Sequence, residues 1–241
     1  MIAAALIVGF FWLSLSRIDY RPDFSFLPEF KIRIWDGFWL TVAVSLASMV
    51  VSLLLGSHAA GGEMSRRLPL RCLTRDYVVF IRGTPLIMQI YLFFYLVGTA
   101  WGVENRFLAG VIILSVFQGA YISEILRGSF NSIEASQLES ARAVGFSPVQ
   151  TLRFVIIPQP LQRLVPPAIN LVTRMIKTTS LVVLIGLVEV LKVGQQIIDA
   201  NRFQFPTAAL WIYAAGFLLY FFACWPITLA AGHFEKKWSR S

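Results

Sequence analysis

Residues 37–60 read GFWLTVAVSLASMVVSLLLGSHAA and contain no Asp, Glu, Lys or Arg. A helix of this length can cross the hydrocarbon core of a bilayer, which takes about 20 mainly apolar residues. The rest of the chain has the same character, since 57% of its 241 residues are hydrophobic, 14% are charged and the mean hydropathy is +0.69. That composition excludes an ordinary soluble domain and predicts an all-α, polytopic bundle of transmembrane helices.

Six apolar segments of the sequence are candidate transmembrane spans. They cover residues 1–16, 37–60, 77–98, 107–126, 167–190 and 207–232. The first segment is short and lacks the basic start and the small-residue cleavage site of a signal peptide, so we interpret it as an anchor. We therefore divide the chain into residues 1–36, an N-terminal hydrophobic segment with an external loop, and residues 37–238, a transmembrane domain with five core spans.

Basic residues in the short connections predict the orientation, because cytoplasmic loops carry an excess of Lys and Arg. Three regions are rich in them: 66–75 after the second segment, 127–163 after the fourth, and 236–240 at the chain end. Residues 17–36 hold as many basic residues as the best of these regions, but the sum favours both termini in the cytoplasm. Topology also accounts for the net charge of +8, so we expect no nucleic-acid partner.

The connection between the fourth and fifth spans, residues 127–166, is the longest of the core, and long loops are usually functional. Residues 131–134 (NSIE) and 136–139 (SQLE) both match the capping box that starts a helix. Gly145 suits a helix C-terminus. We therefore predict a short helix near 133–144.

A second helix-start signal follows at residues 147–150 (SPVQ), with proline at the first helical position, and Pro158 and Pro160 are predicted to end that helix. In the first helix, Ser140 and Ala141 are small, and small side chains let another backbone come close. The alternative is an amphipathic helix that lies on the membrane surface. Its apolar face is too weak to favour that alternative.

These residues carry a resemblance to a known family. Glu139-Ser140-Ala141, three further residues, Gly145, nine further residues and then Val-Ile-Ile-Pro158 resemble the EAA motif of bacterial ABC importer permeases. Ser140 departs from the alanine of that motif. Residues 82–86 (RGTPL), 121–128 (YISEILRG) and 177–181 (KTTSL) are similar to segments of the polar amino-acid permeases within this group.

The resemblance implies a type I ABC importer permease, a transport subunit of the bacterial cytoplasmic (inner) membrane. It implies that the first short helix docks in a groove of a separate cytoplasmic ATPase, through Glu139, Ser140, Ala141, Gly145 and Pro158. It also implies a second permease chain, identical or paralogous, and an extracytoplasmic solute-binding protein. The sequence has no G-x-x-x-x-G-K-[ST] phosphate loop, so we expect no cofactor on this chain and ATP with Mg in the partner ATPase.

Ionisable residues within spans are expensive and are therefore functional candidates. Glu124, Arg174 and Lys177 are such residues, and the two cations lie three apart on one helix face. They could bind a carboxylate of the solute, pair with Glu124, or extend to the cytoplasmic surface. The excess of positive charge favours an acidic amino acid.

Polar residues around these cations complete the predicted solute path. They are Asn170, Thr178, Thr179 and Ser180. Gly186 follows, so we expect this span to be broken near its centre, as in transporters whose unwound backbone lines a cavity. The alternative is that the hydroxyls bond back to carbonyls of their own helix.

Two further local signals concern architecture. Thr84 and Pro85 suit the N-cap and first position of a helix, so we expect a bend at Gly83 between a surface stretch and the spanning helix. Glu189 and Lys192 are expected to form an exposed pair at the external end.

Two other classes of protein compete with the importer permease. A stand-alone secondary transporter or channel for small polar solutes would work without an ATPase and would be favoured by an inverted repeat, which the sequence does not display. An intramembrane enzyme would need a cluster of nucleophile, base or metal ligands. Neither the two histidines nor the two cysteines form one.

Overall fold

A computed structural model of the protein describes residue 9 and residues 27–102, 105–205 and 208–238. The helices in these residues are α1 (Leu27–Glu63), α2 (Leu68–Gly83), α3 (Leu86–Tyr91), α4 (Thr99–Trp101), α5 (Arg106–Asn131), α6 (Ala135–Ala143), α7 (Pro148–Thr151), α8 (Pro158–Thr178), α9 (Val190–Asn201) and α10 (Ala208–Trp238). A π-helical stretch, Leu92–Gly98, joins α3 to α4, another, Leu152–Ile156, follows α7, and a 3₁₀ helix, Thr179–Ile185, follows α8. Apart from Gly9, the predicted span 1–16 lies outside the described residues.

The described residues contain four candidate spans that are each one helical stretch by length and composition. They are Lys31–Glu63, Arg106–Asn131, Leu164–Ile185 and Ala208–Gly232. A fifth candidate is a bent pair, Leu68–Gly83 and Leu86–Leu96, whose two halves meet at 110°. The predicted all-α bundle with five core spans is confirmed.

The first core helix starts earlier than the sequence suggested. α1 begins at Leu27, so the end of the predicted external loop 17–36 is helical. A polar side chain of this extension contacts α9, since Arg33 Nη2 donates a hydrogen bond of 2.7 Å to Gln196 Oε1. Packing against α9 therefore accounts for the extra helical turns.

The bend at Gly83 is confirmed, but the helix after it starts one residue later than predicted. Thr84 and Pro85 are both extended, and Pro85 is the N-cap residue of α3. Gln89 Nε2 donates to Thr84 Oγ1 at 2.7 Å, which holds the bend closed. The predicted span 77–98 therefore begins too early, because its first residues belong to α2.

Helix α5 is the centre of the bundle. In the most apolar 18-residue stretch of α5, 67% of the residues are buried inside the protein. In the corresponding stretch of the last span, the share is 17%. α1 approaches α5 so closely that a Cβ atom on Gly56 would lie 2.6 Å from Ile122 Cβ. Only glycine allows this approach, and it brings the end of α5 beside the end of α1.

Candidate functional site

Four charged side chains meet at the end of the bundle where α1 stops and the connection from α5 to α8 begins. Arg82 Nη1 lies 2.9 Å from Glu124 Oε2, and Arg127 Nη2 lies 2.5 Å from Glu124 Oε1. Arg127 Nε lies 3.3 Å from Glu63 Oε2, and Ser123 Oγ donates a 2.9 Å hydrogen bond to Glu63 Oε1. Glu63, Arg82, Glu124 and Arg127 form a loop-end charge network that ties α1, α2 and α5 together.

Tyr121 connects this network to α8. The guanidinium carbon of Arg174 lies 3.7 Å from the centroid of the Tyr121 ring, and that of Arg82 lies 5.4 Å from it. A guanidinium over an aromatic face is attracted by the electron density of the ring. Two segments that were similar to the family, 82–86 and 121–128, therefore meet at one place, and Arg174 joins them.

Glu124 pairs with neither Arg174 nor Lys177. Such a pairing was one of the three roles that the sequence allowed for these two cations. Glu124 is already engaged by Arg82 and Arg127. Sequence spacing could not identify these partners, because they come from α2 and from the next turn of α5. Within the described residues, no group of His, Cys, Asp or Glu side chains could hold a metal ion.

The predicted break in the fifth span is confirmed. α8 ends at Thr178, the chain continues as a 3₁₀ helix to Ile185, and Gly186 has a φ of 76°. Glycine adopts this left-handed conformation without the steric cost that other residues have. The break leaves Lys177 in the last turn of α8.

The three hydroxyls of this segment have the structural role that the sequence left open. Thr178, Thr179 and Ser180 each donate to a carbonyl oxygen three or four residues earlier, at 2.7, 2.6 and 2.8 Å. Thr179 is fully buried, whereas Ser180 is partly exposed. Their protons are therefore used within the helix, although the oxygen of Ser180 can still accept a hydrogen bond.

Lys177 lies at two neighbouring cavities of about 350 and 420 Å³. Phe217 and Tyr220 of α10 line both cavities with it, and Ser180 lines the first. Lys177 is exposed, makes no ion pair with any described residue, and is the only charged side chain among the lining residues. Asn170 is also exposed but lines neither cavity. A single cation among aromatic and apolar side chains suits a small solute that carries a carboxylate.

The expectation of an exposed Glu189–Lys192 pair is wrong. Glu189 is 0% exposed and is the N-cap residue of α9. Its carboxylate accepts hydrogen bonds from the backbone N–H groups of Leu191 and Lys192, at 2.9 and 3.0 Å, and from the Tyr220 hydroxyl at 3.1 Å. A negative charge at a helix N-terminus is favourable. The break at Gly186, shortly before, was the sequence signal for this helix start.

The first predicted helix of the long connection is present as α6, but neither predicted capping box forms. α5 continues to Asn131, which therefore lies inside a helix rather than before one. Glu134 is the N-cap residue of α6, and its side chain makes no capping hydrogen bond. Ser136 already belongs to the first turn of α6. Because α5 continues to Asn131, α6 starts only at Ala135.

The signals between the two short helices are confirmed. Gly145 has a φ of 84°, and the N–H of Phe146 donates to the Ala141 carbonyl at 3.0 Å, which closes α6 in a Schellman motif. Ser147 and Gln150 form the capping box that starts α7. These signals act over a few residues, so tertiary packing does not override them.

Pro158 and Pro160 were predicted to end the second short helix, but both lie in the first turn of α8. The second helical stretch ends at Ile156, and Pro158 then begins α8 with Pro160 in its first turn. Proline is tolerated there because the first N–H groups of a helix have no intrahelical partner. The prolines thus start α8 as well as limiting the helix before it.

The residues predicted to couple to a partner lie mainly on one exposed surface. Glu139, Ser140 and Gly145 are exposed, Pro158 is partly exposed and Ala141 is buried. Val144 and Val149, which the sequence did not single out, flank Gly145 and are 74% and 73% exposed. A cavity of about 340 Å³ opens beside Ser140 and Val144. We call Glu139, Ser140, Val144, Gly145 and Val149 the α6–α7 surface.

Comparison with solved structures gives the fold independently. The chain matches a crystal structure of an amino acid ABC transporter with histidines, with a TM-score of 0.78 and 26% identity over 90% of this chain and 100% of that one. It also matches an inward-facing structure of the MetNI methionine ABC transporter, with a TM-score of 0.60 and 19% identity over 82% of this chain and 95% of that one. The type I importer permease fold implied by the resemblance is confirmed.

Sequence comparisons identify the family. Residues 52–240 match the family described as binding-protein-dependent transport system inner membrane component. A probable glutamine ABC transporter permease protein of Bacillus subtilis (strain 168) is 34% identical over 88% of this chain and 97% of its own length. An L-cystine transport system permease protein of the same organism is 32% identical over 85% and 86%. A glutamine transport system permease protein of Escherichia coli (strain K12) is 33% identical over 75% and 80%.

This family decides against the stand-alone transporter or channel. Its members are membrane-embedded subunits of ABC importers, in which the ATPase is a separate chain. The chain therefore belongs to the family of binding-protein-dependent transport system inner membrane components, as a transmembrane permease subunit of an ATP-binding-cassette importer.

Proposed function

We propose that this chain forms the translocation path for a polar amino acid or a related small solute. Three relatives are named for glutamine or L-cystine, which supports an amino acid as the solute. The cavities at Lys177 are of a size that suits such a molecule, and their single cation complements its α-carboxylate. The protein lies in the bacterial cytoplasmic (inner) membrane among lipids, with its C-terminus in the cytoplasm.

The partners follow from this role. A second permease chain, identical or paralogous, completes the path, and a cytoplasmic ATP-binding-cassette ATPase drives it. An extracytoplasmic solute-binding protein delivers the solute. ATP and Mg bind to the ATPase, and this chain binds no cofactor and no nucleic acid.

The single observation that carries the coupling proposal is the exposure of Val144 and Val149. Both side chains are about three-quarters exposed, Val144 directly after α6 and Val149 in α7, and both lie outside the spans. Apolar side chains grouped with small and polar residues on such a surface mark a contact with another protein. We assign the α6–α7 surface as the docking site of the ATPase, with Ala141 as the packed support beneath it.

Helix α8 is the mechanical link between docking and solute. It runs from Pro158, next to the α6–α7 surface, to Thr178, next to the Lys177 cavities, as one helix of 21 residues. Pro166 and Pro167 remove backbone hydrogen bonds inside this helix, but the helix continues through them, so a shift of its Pro158 end moves the end at Lys177. Closure of the ATPases thus favours the state in which the Lys177 cavities open outward.

An acidic solute would need a second cation. Arg174 is the neighbouring candidate, but its guanidinium lies over the Tyr121 ring. Lys177 alone complements one carboxylate. The arrangement therefore favours a solute with a single carboxylate over an acidic amino acid.

The experiment that tests the coupling site changes Val144→Asp and Val149→Asp together in the affinity-tagged chain, co-expressed with its ATPase. Docking of the ATPase would bury both valines, and a charge at each position makes that burial unfavourable. We therefore expect the ATPase to be lost on purification. Uptake in proteoliposomes should fall to background. The control is Phe203→Asp, a single apolar-to-charged change at a residue 86% exposed between α9 and α10, far along the chain from the α6–α7 surface. It should retain the ATPase.

Thermal unfolding of both variants separates docking from folding. The double variant should unfold at the temperature of the unchanged chain, because neither valine packs in the core. Retention of the ATPase by a folded double variant would exclude the α6–α7 surface as the docking site.

A further inference from the structure

A cavity of about 420 Å³ beside the loop-end charge network has no role in the proposed transport mechanism. It is lined by Glu63, Arg71, Arg75, Val78, Val79, Arg82, Glu124 and Arg127. Four arginines thus surround a space with two glutamates. The cavity lies at the end of the spans, because Glu63 is the last residue of one and Arg127 is in the last turns of another.

The charges of this cavity do not cancel. Arg82 and Arg127 are paired with the two glutamates. Arg71 and Arg75 are exposed and form no ion pair with any described residue. Two positive charges are therefore left over.

A buried donor lies in the wall of the same cavity. Arg127 Nε is within 3.3 Å of Glu63, but the contact lacks hydrogen-bond geometry and this N–H stays unsatisfied in the described structure. An anion in the cavity would complement the excess positive charge of its wall.

The position of α2 indicates where the anion comes from. α2 meets the next segment at 110°, so the two halves of this bent pair cannot both run along the membrane normal. Leu73 and Phe80 on α2 are 69% and 62% exposed, while Arg71 and Arg75 of the same helix line the cavity. An amphipathic helix with this pattern lies in the membrane interface, with its apolar side toward the acyl chains and its basic side at the headgroups.

We propose that this cavity binds the phosphate group of an anionic phospholipid, with Arg71 and Arg75 as its principal ligands. Guanidinium groups bind phosphate oxygens in pairs, and basic pockets between helices at the cytoplasmic face bind lipid headgroups. Val79 is 63% exposed and lines the cavity, so the acyl chain has an apolar surface next to the headgroup. Free inorganic phosphate has the same charged group but gains nothing from that surface.

The test is native mass spectrometry of the complex of this chain with its partners, purified from nanodiscs of equimolar phosphatidylglycerol and phosphatidylcholine. The unchanged complex should retain phosphatidylglycerol in preference to phosphatidylcholine. Arg71→Gln with Arg75→Gln should reduce that preference roughly 30-fold, since each basic residue contributes about 1 kcal/mol. The matched control is Arg66→Gln with Arg67→Gln, which removes two exposed arginines of the same connection that do not line the cavity.

Three outcomes would overturn the proposal. Equal losses in both double variants would mean that diffuse charge, not the cavity, attracts the lipid. No preference for phosphatidylglycerol in the unchanged complex would mean that there is no such site. If added inorganic phosphate displaces phosphatidylglycerol and itself stays bound to the complex, the cavity is a site for free phosphate. The single variants Arg71→Gln and Arg75→Gln should each give an intermediate preference, and unchanged thermal unfolding shows that the fold is intact.

Discussion

The loop-end charge network and the Lys177 cavities differ in whether their charged side chains form ion pairs. In the network, Glu124 is shared by two arginines, and Glu63 is engaged by Arg127. Lys177 has no ionic partner among the described residues and faces aromatic and apolar side chains. An unpaired charge in apolar surroundings is costly, so it is retained where a ligand pairs with it. Paired charges of the network hold helices together, whereas Lys177 is the charge that we propose binds the solute.

The largest expected effect comes from removing the unpaired charge. Lys177→Gln should lower the apparent affinity for the solute about 10- to 100-fold, because a hydrogen bond to a charged group contributes about 1.5–3 kcal/mol. Uptake by proteoliposomes over a range of solute concentrations measures this as a raised KM.

Lys192→Gln is the matched control for that change. It removes the same charge from the start of α9, and Lys192 lines neither cavity. Lys177→Arg should restore part of the affinity. An unchanged KM in a folded Lys177→Gln complex would show that the solute carboxylate binds elsewhere.

A smaller effect, on stability rather than uptake, is expected from breaking the paired region. Glu124→Lys places a third cation between Arg82 and Arg127 and should lower the free energy of unfolding by about 2 kcal/mol. The network is about one-third exposed, so solvent screens part of the repulsion. Thermal unfolding in mild detergent measures the loss.

The same substitution at Glu139 is the comparison for Glu124→Lys. Glu139 is exposed on α6 and has no ion pair with a described residue, so Glu139→Lys should change the free energy of unfolding by less than about 0.5 kcal/mol. If both variants unfold alike, the network does not stabilise the fold.

The smallest effect is expected at Arg174, which lies one turn from Lys177 but already has the Tyr121 ring as its partner. Arg174→Gln removes the contact with Tyr121 and should cost about 1 kcal/mol of stability. The KM for the solute should change by less than about threefold. A rise in KM as large as that of Lys177→Gln would mean that Arg174 binds the solute directly.

Local signals of the sequence predicted much of the backbone. The segment 107–126 is the core of α5, the bend at Gly83 is present, and Gly145 ends α6. Each signal rests on a property of a few neighbouring residues, such as a run of apolar side chains or a glycine with positive φ. The predicted N-terminal span 1–16 stays a prediction.

The candidate site was predicted less completely than the backbone. The sequence identified Glu124, Arg174 and Lys177 as intramembrane charges, but it could not say which of them are paired. It also missed the burial of Glu189, because a Glu followed by Lys three residues later looks like an exposed ion pair. Neither predicted capping box formed, since α5 continues to Asn131 and Ser136 already lies in the first turn of α6.

The sequence by itself determined the all-α membrane fold, the break after Lys177 and the turn between the two short helices. Apolar length, glycine and proline act within one segment, so these features need no knowledge of the neighbours. Only the tertiary structure decided that Arg82 pairs with Glu124, that Arg174 lies over Tyr121 and that Lys177 stays unpaired. Electrostatic partners are set by the distances between side chains of different helices, and those distances exist only once α5 is packed in the centre of the bundle.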